Sequence, residues 1–161
     1  MQVSDEFGGA LERLARAYER DSDVRRDLLQ EIHVALWRSL ARFDGRCSMR
    51  TWVYRVAHNI ATSRVIRAKK SATAFAELAL LESIPDKTDG EAQFDRRRTL
   101  DRVYELIHDL RPIDRQIILL YLEDLDTPAI AEITGLTARN VATKIHRIKQ
   151  LLARQFHDKG C

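Results

Sequence analysis

TPAIAEITGLTARNVATKIHRIKQLL, Thr127 to Leu152, carries two sets of helical signals parted by one glycine. Thr127 can cap a helix that opens with Pro128 at its first position. Small Ala131 lets a second helix approach closely, and Gly135 suits the left-handed residue that ends the first. Thr137 can cap the next helix, on which Val141, Ile145, Ile148 and Leu152 form a single apolar stripe. Ala131, Gly135 and Val141 thus hold the small, turn and packing positions of a helix-turn-helix. A plain helical hairpin would explain the periodicity, but caps, glycine and charge all agree on the motif.

In a helix-turn-helix the second helix enters the major groove with its N-terminal residues toward the base edges. Periodicity predicts that Arg139, Asn140, Thr143, Lys144, His146 and Arg147 are exposed there. Arginine reads guanine and asparagine reads adenine through paired hydrogen bonds. Lys144, Arg147 and Lys149 lie on the flanks, where phosphate contacts are expected.

Upstream of the motif, Leu100, Val103, Ile107 and Leu110 mark a helix that should end near Arg111. Pro112 disfavours a helical residue before it and is at home at the start of the next helix. Ile113 to Leu122 is apolar almost all round, as a buried central helix would be. Four helices are therefore expected between about Arg97 and His157.

A first helical unit is expected from about Asp5 to Lys70. Leu11, Leu14, Ala15 and Tyr18 repeat at helical spacing, as do Leu29, Ile32, Leu36 and Leu40. Little precedes Leu11, which predicts a short leading helix. After the turn signal Asp44-Gly45, Ser48 can cap a third helix. That helix is expected to bury Met49, Trp52, Val53, Val56, Ala57 and Ile60. Arg50, Tyr54, Arg55, His58 and Asn59 would lie on its other surfaces, and Trp52 reads as core rather than as a base contact.

The two units, residues 5–70 and 97–157, leave 71–96 as a linker. SIPDKTDGE, Ser83 to Glu91, supplies its Pro- and Gly-bearing polar cluster, and AFAELALLE, Ala74 to Glu82, can form a helical turn or two. Charge follows the same division. Arg38 to Lys70 holds nine Arg or Lys and one acid, and Thr137 to His157 holds five basic residues and no acid. Ala74 to Asp95 carries six acids and one base. Each basic island could be an ordinary solvated face, but two of them, each on its own helical unit, point to nucleic acid.

Only 6 glycines and 3 prolines occur in 161 residues, against about 11 and 8 at average usage. Such a shortage of helix breakers predicts an all-α protein. No apolar run approaches the ~18–20 residues that span a bilayer, and the start MQVSDEF is polar. The expectation is a cytoplasmic protein without membrane insertion. Cys47 and Cys161 make no disulfide framework and no CxxC, and Cys47 reads as an inert thiol. His33, His58, His108, His146 and His157 lack metal-ligand spacing. Phosphate loops, nucleophile elbows and paired catalytic carboxylates are missing from the sequence, so neither an enzyme nor a cofactor is expected.

Taken together, the chain resembles a bacterial RNA polymerase sigma factor of the extracytoplasmic-function (ECF) group of the sigma-70 family. LRPIDRQIILLYLEDLDTPAIAEITGLTARNVATKIHRIKQLL, from Leu110, resembles the family's region 4. RRDLLQEIHVALWRSLARFDGRCSMRTWVYRVAHN, from Arg25, resembles region 2, notably in DLLQE, LW, FDGR, TWVYR and AHN. The resemblance covers nearly the whole chain, in the family's order and with an acidic linker between. It implies a transcription initiation factor without chemistry of its own, which docks core RNA polymerase on promoter DNA and opens the duplex.

The resemblance implies that Arg139, Asn140, Thr143, Lys144, His146 and Arg147 face the −35 element. It implies that Asp27, Gln30, Glu31, Trp37 and Arg38 meet the polymerase, and that an anti-sigma protein is a partner. It assigns the loop Phe43 to Arg50 and the helix after it to the −10 element. Opening a duplex needs cations that hold backbone and groups that receive an unstacked base. Arg46, Arg50, Arg55 and Arg64 suit the first role, and Tyr54, His58 and Asn59 the second. Ala142 stands where the family often has a basic residue, and His33 and Met49 where it often has Phe. The rival reading is a stand-alone helix-turn-helix regulator, which explains the second unit but not DLLQE or the Arg-rich aromatic helix. A third is a protein-binding adaptor, whose DNA binding would be weak and without sequence preference.

Overall fold

A computed structural model of the chain describes residues 2–75 and 93–158. Among them are seven helices: α1 (Gln2–Tyr18), α2 (Ser22–Leu40), α3 (Met49–Phe75), α4 (Gln93–His108), α5 (Pro112–Leu122), α6 (Thr127–Thr134) and α7 (Ala138–Asp158). No strand occurs among the described residues. The all-α expectation therefore holds. None of these helices is long and apolar enough to cross a membrane.

The first three helices bury one another's apolar stripes. Leu11, Leu14, Ala15 and Tyr18 of α1 are buried as their spacing predicts, and they share a core with Leu28, Ile32 and Leu36 of α2. Leu28 takes the deepest place there, rather than its half-buried neighbour Leu29. The leading helix is not short, for α1 has 17 residues. Asp21 caps α2 by accepting from the amides of Asp23 at 2.8 Å and Val24 at 3.2 Å. Ser48 caps α3 by accepting from the amide of Thr51 at 3.1 Å.

The third helix departs most from its expected face. Its innermost residues are Val53, Tyr54, Ala57, His58 and Ala61, while Met49, Trp52, Val56 and Ile60 are only half-buried. The helix is therefore rotated so that two polar aromatic residues lie inside. Small Ala57 and Ala61 on that face let α1 and α2 come close, which favours it over the bulkier stripe.

In the second unit α5 is the central helix, with Arg115 to Leu120 all buried. Pro112 begins it, as expected. On α4, Leu106 and Ile107 are buried, whereas Leu100 is 51% exposed and leaves the anticipated stripe. Asp126, not Thr127, caps α6, accepting from the amide of Ala129 at 2.9 Å. A carboxylate one residue earlier is the stronger acceptor at the positive end of the helix. Gly135, at φ 77°, ends α6, and Thr137 caps α7 by accepting from the amide of Asn140 at 3.1 Å. Val141, Ile145 and Ile148 seat α7 in the core.

Helical structure extends into both ends of the anticipated linker, since α3 runs to Phe75 and α4 starts at Gln93. The rest of that stretch, with most of AFAELALLE and all of SIPDKTDGE, falls outside the described residues, as does Cys161. The two units also pack on each other. Arg115 of α5 is 5% exposed; its guanidinium donates to the carbonyls of His108 at 2.6 Å and Leu110 at 3.1 Å and stacks 5.2 Å from the Tyr18 ring of α1. One buried cation thus satisfies the carbonyls at the end of α4 and ties both units together.

Candidate nucleic-acid interface

The first turns of α7 carry the group predicted for the major groove. Arg139, Asn140, Thr143, His146 and Arg147 are all exposed on one side of the helix. Beneath them Val141, Ile145 and Ile148 fix the helix, so the exposed face is held by the core rather than by its own contacts. Thr143 hydroxyl donates back to the Arg139 carbonyl at 3.0 Å. Lys144 differs from its neighbours. It is half-buried, and its ammonium lies 3.3 Å from the Asp114 carboxylate on α5. That pairing draws Lys144 toward the unit's own body.

On the first unit, the loop between α2 and α3 is organised by Asp44, whose carboxylate accepts from the Arg46 amide at 3.1 Å, and by Gly45 at φ 76°. The Arg46 side chain is 90% exposed and pairs with Asp44 at 3.0 Å. Asn59 is also exposed. Trp52 is half-buried, with its ring edge-on to Phe43 at 5.6 Å between centroids, in keeping with a packing role.

The other residues assigned to strand opening are engaged within the chain. His58 is fully buried, its Nδ1 3.1 Å from the Tyr18 hydroxyl, and burial pulls its pKa down to about 3. It is a core histidine and does not face a DNA groove here. The same interior lifts the Tyr18 phenol to about 12, chiefly through burial. Tyr54 is 3% exposed; its ring meets Phe7 edge-on, and its hydroxyl donates to Glu123 of the second unit at 3.4 Å. Arg50 donates to the Glu123 carbonyl, and Arg55 to the carbonyl of Glu132 at 3.3 Å. Arg64 lies 3.4 Å from Glu31 and 3.7 Å from Glu19. Rotation of α3 turns Arg50, Tyr54 and Arg55 toward the end of α5 and toward α6, whereas His58 and Arg64 are held within the first unit by Tyr18, Glu19 and Glu31.

A third surface runs along α2. Asp27, Gln30, Glu31, Trp37 and Arg38 are exposed on it, Trp37 at 77%. Val34, 47% exposed, completes the row at helical spacing. Sequence reasoning passed over Val34, though an apolar residue three before Trp37 and off the core stripe was a readable signal. Arg13 and Glu123 were also passed over. They form a fork-on-fork ion pair, with bonds of 2.6 and 2.8 Å, that joins residues 110 positions apart. No local pattern announces such a contact.

A capped helix-turn-helix beside a second basic helical unit defines a DNA-binding protein of two parts. Two family models match the chain: Sigma-70 region 2 over residues 5–71 and Sigma-70 region 4 over residues 100–152. The chain is 27% identical over 143 residues to the ECF RNA polymerase sigma factor SigW of Bacillus subtilis (strain 168), covering 82% of this chain and 75% of that one. It is 28% identical over 162 residues to the RNA polymerase sigma factor CnrH of Cupriavidus metallidurans, covering 94% and 83%. Among solved structures, the sigma factor RpoE bound to the anti-sigma factor NepR, from Bartonella quintana, superposes with a TM-score of 0.71 at 15% identity over 98% of this chain and 97% of that one. CnrH in complex with the cytosolic domain of CnrY gives 0.68 at 21% identity, over 98% and 86%.

The chain belongs to the sigma-70 family, in its extracytoplasmic-function group. It is a transcription initiation factor that binds core RNA polymerase and gives it promoter specificity.

Proposed function

We propose that α7 reads the −35 element, that the loop before α3 and α3 itself open the −10 region, and that α2 docks core polymerase. The observation that carries this reading is the exposed row Arg139, Asn140, Thr143, His146 and Arg147 on a helix whose opposite face is locked in the core. Arg139 and Asn140 read bases, while Arg147 holds backbone together with Lys149. Lys144 belongs to the same face, positioned by Asp114. Arg46 and Asn59 are the groups of the first unit most open to DNA. Arg50, Arg55 and Arg64 hold the displaced strand once their present partners release them, and His58 supports α3 from within. On α2, Asp27, Gln30, Glu31 and Arg38 form a polar rim around Trp37 and Val34, which is the composition of a protein-docking patch.

The factor acts in the cytoplasm and makes or breaks no covalent bond itself. An anti-sigma protein is its natural restraint, supported by relatives solved in complex with NepR and CnrY.

Run-off transcription with purified bacterial core polymerase, with and without the chain, tests the reading. Discrete new transcripts are expected, with two shared upstream elements. Arg46→Ala with Asn59→Ala is expected to slow initiation on duplex templates while sparing templates with a pre-melted bubble. Equal loss on both would remove these residues from strand opening. Sequence-selective DNA binding without transcripts would instead favour the stand-alone regulator. Trp37→Ala is expected to weaken core polymerase binding roughly tenfold, since interface tryptophans are frequent hot spots. Because Trp37 is so exposed, thermal stability should stay unchanged; unaltered affinity in a binding titration would take α2 out of the interface.

A further inference from the structure

The face between the two units has the chemistry of a nucleic-acid groove, turned inward. Its centre is Glu123, at the end of α5. Asp124 follows in the left-handed region at φ 61°, a conformation that aspartate tolerates. In this turn both the carboxylate and the carbonyl of Glu123 meet the first unit. Arg13 of α1 grips the two carboxylate oxygens at 2.6 and 2.8 Å, the Tyr54 hydroxyl donates to one of them at 3.4 Å, and Arg50 takes the carbonyl. Arg50 also lies over the Tyr54 ring, 5.9 Å from its centroid.

A guanidinium and a phenol on the carboxylate, with a second guanidinium on the carbonyl of the same residue, make a set that suits a phosphodiester as well as Glu123. Both ligands carry one negative charge and two oxygens that accept a guanidinium fork. Bonding to Glu123 raises the Arg13 pKa further, so the cation persists at every accessible pH. The ion pairs around this site, Arg16–Asp101, Arg20–Asp109 and Arg55–Glu132, are reached by solvent and reversible in kind, while the buried stack of Arg115 on Tyr18 must part with them. A cavity of about 410 Å³ lies beside Glu123, lined by Arg13, Tyr54, Tyr104 and Leu122 among others, so this face is not close-packed.

We propose that Arg13, Arg50 and the Tyr54 hydroxyl form one phosphodiester-binding site for promoter DNA, which Glu123 fills while the two units are closed. Closure and DNA binding at α3 then exclude each other, and Glu123 is an internal stand-in for the DNA backbone. This rests on the reading of α3 as the strand-opening helix, and it adds Arg13 of α1 to that machinery.

The test uses the full chain with Cys47 and Cys161 changed to Ser and dyes attached at Ala68→Cys and Ala153→Cys. The binding probe is a fluorescein-labelled, mixed-sequence single-stranded DNA of about 20 nucleotides, a length that spans a typical single-strand site. Glu123→Gln is expected to lower energy transfer between the dyes and to tighten DNA binding about fivefold, the scale set by loss of one partly exposed ion pair. Adding Arg13→Ala to Glu123→Gln should leave the units apart and reverse the gain. The exchange Arg13→Glu with Glu123→Arg should restore closure while DNA binding stays weak, which separates the latch from general damage to the fold.

If Glu123→Gln neither parts the units nor tightens binding, the proposal is wrong. It is equally wrong if Arg13→Ala leaves binding by the opened chain unchanged. In either case a persisting requirement for Arg46 and Asn59 on duplex but not bubble templates would leave the strand-opening reading intact. Loss of that requirement would remove the reading and the proposal together.

Discussion

With Arg139 and Asn140 both changed to Ala, the factor is expected to lose at least about 30-fold in discrimination between its own upstream element and unrelated DNA. Each paired contact to a base edge contributes ~1–3 kcal/mol, and the low end of two such contacts already gives that ratio. The fold should not suffer. Both side chains are exposed in the first turn of α7, alanine is a good helix former, and Val141, Ile145 and Ile148 still anchor the helix. Gly135 and the Thr137 cap, which aim α7, are untouched. Core polymerase binding should also be retained, because the docking row proposed on α2 lies on the other unit. Start-site mapping of run-off transcripts and competition binding at fixed salt would measure the loss. Unchanged start-site choice would move base reading elsewhere on α7.

Acidification from pH 7 to pH 5 is expected to destabilise the protein by about 2 kcal/mol through His58. Burial sets the folded pKa near 3, far below the ordinary histidine value of 6.5. The depressed value means that the unfolded chain binds a proton the folded chain refuses. Stability is therefore full above pH 6.5 and falls as pH drops from there toward 3, with a slope approaching 1.4 kcal/mol per pH unit. A second ring proton would also lack a place to go, since His58 Nε2 has no hydrogen-bond partner among the described residues. His108, half-buried and beside Arg20 and Arg115, is lowered too and acts in the same direction. Urea titrations across this pH range, on the wild type and on His58→Gln, would isolate the effect. The variant is expected to be less stable at pH 7 but much less sensitive to acid. Parallel pH profiles would mean that His58 reaches water in the folded protein.

Local chemistry made most of the fold readable. Pro112, Gly135, Ser48 and Thr137 mark helix ends through properties of single residues, and they lie where those properties require. Stripes such as Leu11–Leu14–Ala15–Tyr18 are equally local. Periodicity failed where two faces of one helix were both plausible. On α3 it placed Val53 and Ala57 correctly but joined them to the bulky Trp52, Val56 and Ile60 rather than to Ala61, because a hydrophobicity count undervalues alanine and polar aromatics. Close helix packing needs such small residues, and His58 and Tyr54 went inward with them.

The exposed face of α7 was legible for the same reason that its core stripe was, since each is the complement of the other. Three positions on α3 were not. Arg50, Tyr54 and Arg55 meet Glu123 and Glu132 from more than 65 residues away in the chain. Such pairing depends on how two units dock, and nothing within a helical window encodes that. Lys144 is a milder case, drawn to Asp114 across the interior of its own unit.

The ion pairs Arg13–Glu123, Arg16–Asp101 and Arg20–Asp109 across the two units have a consequence for ionic strength. Cations that bind DNA displace small ions condensed on its phosphates, so added salt weakens binding steeply. Parting these three pairs works the other way, because the freed side chains must gather small ions again and salt favours their separation. A chain that opens in order to bind thus absorbs part of the ions that the DNA releases. Its hold on DNA declines less steeply with salt than its phosphate contacts alone would dictate, and the closed form acts as an ionic buffer for the open one.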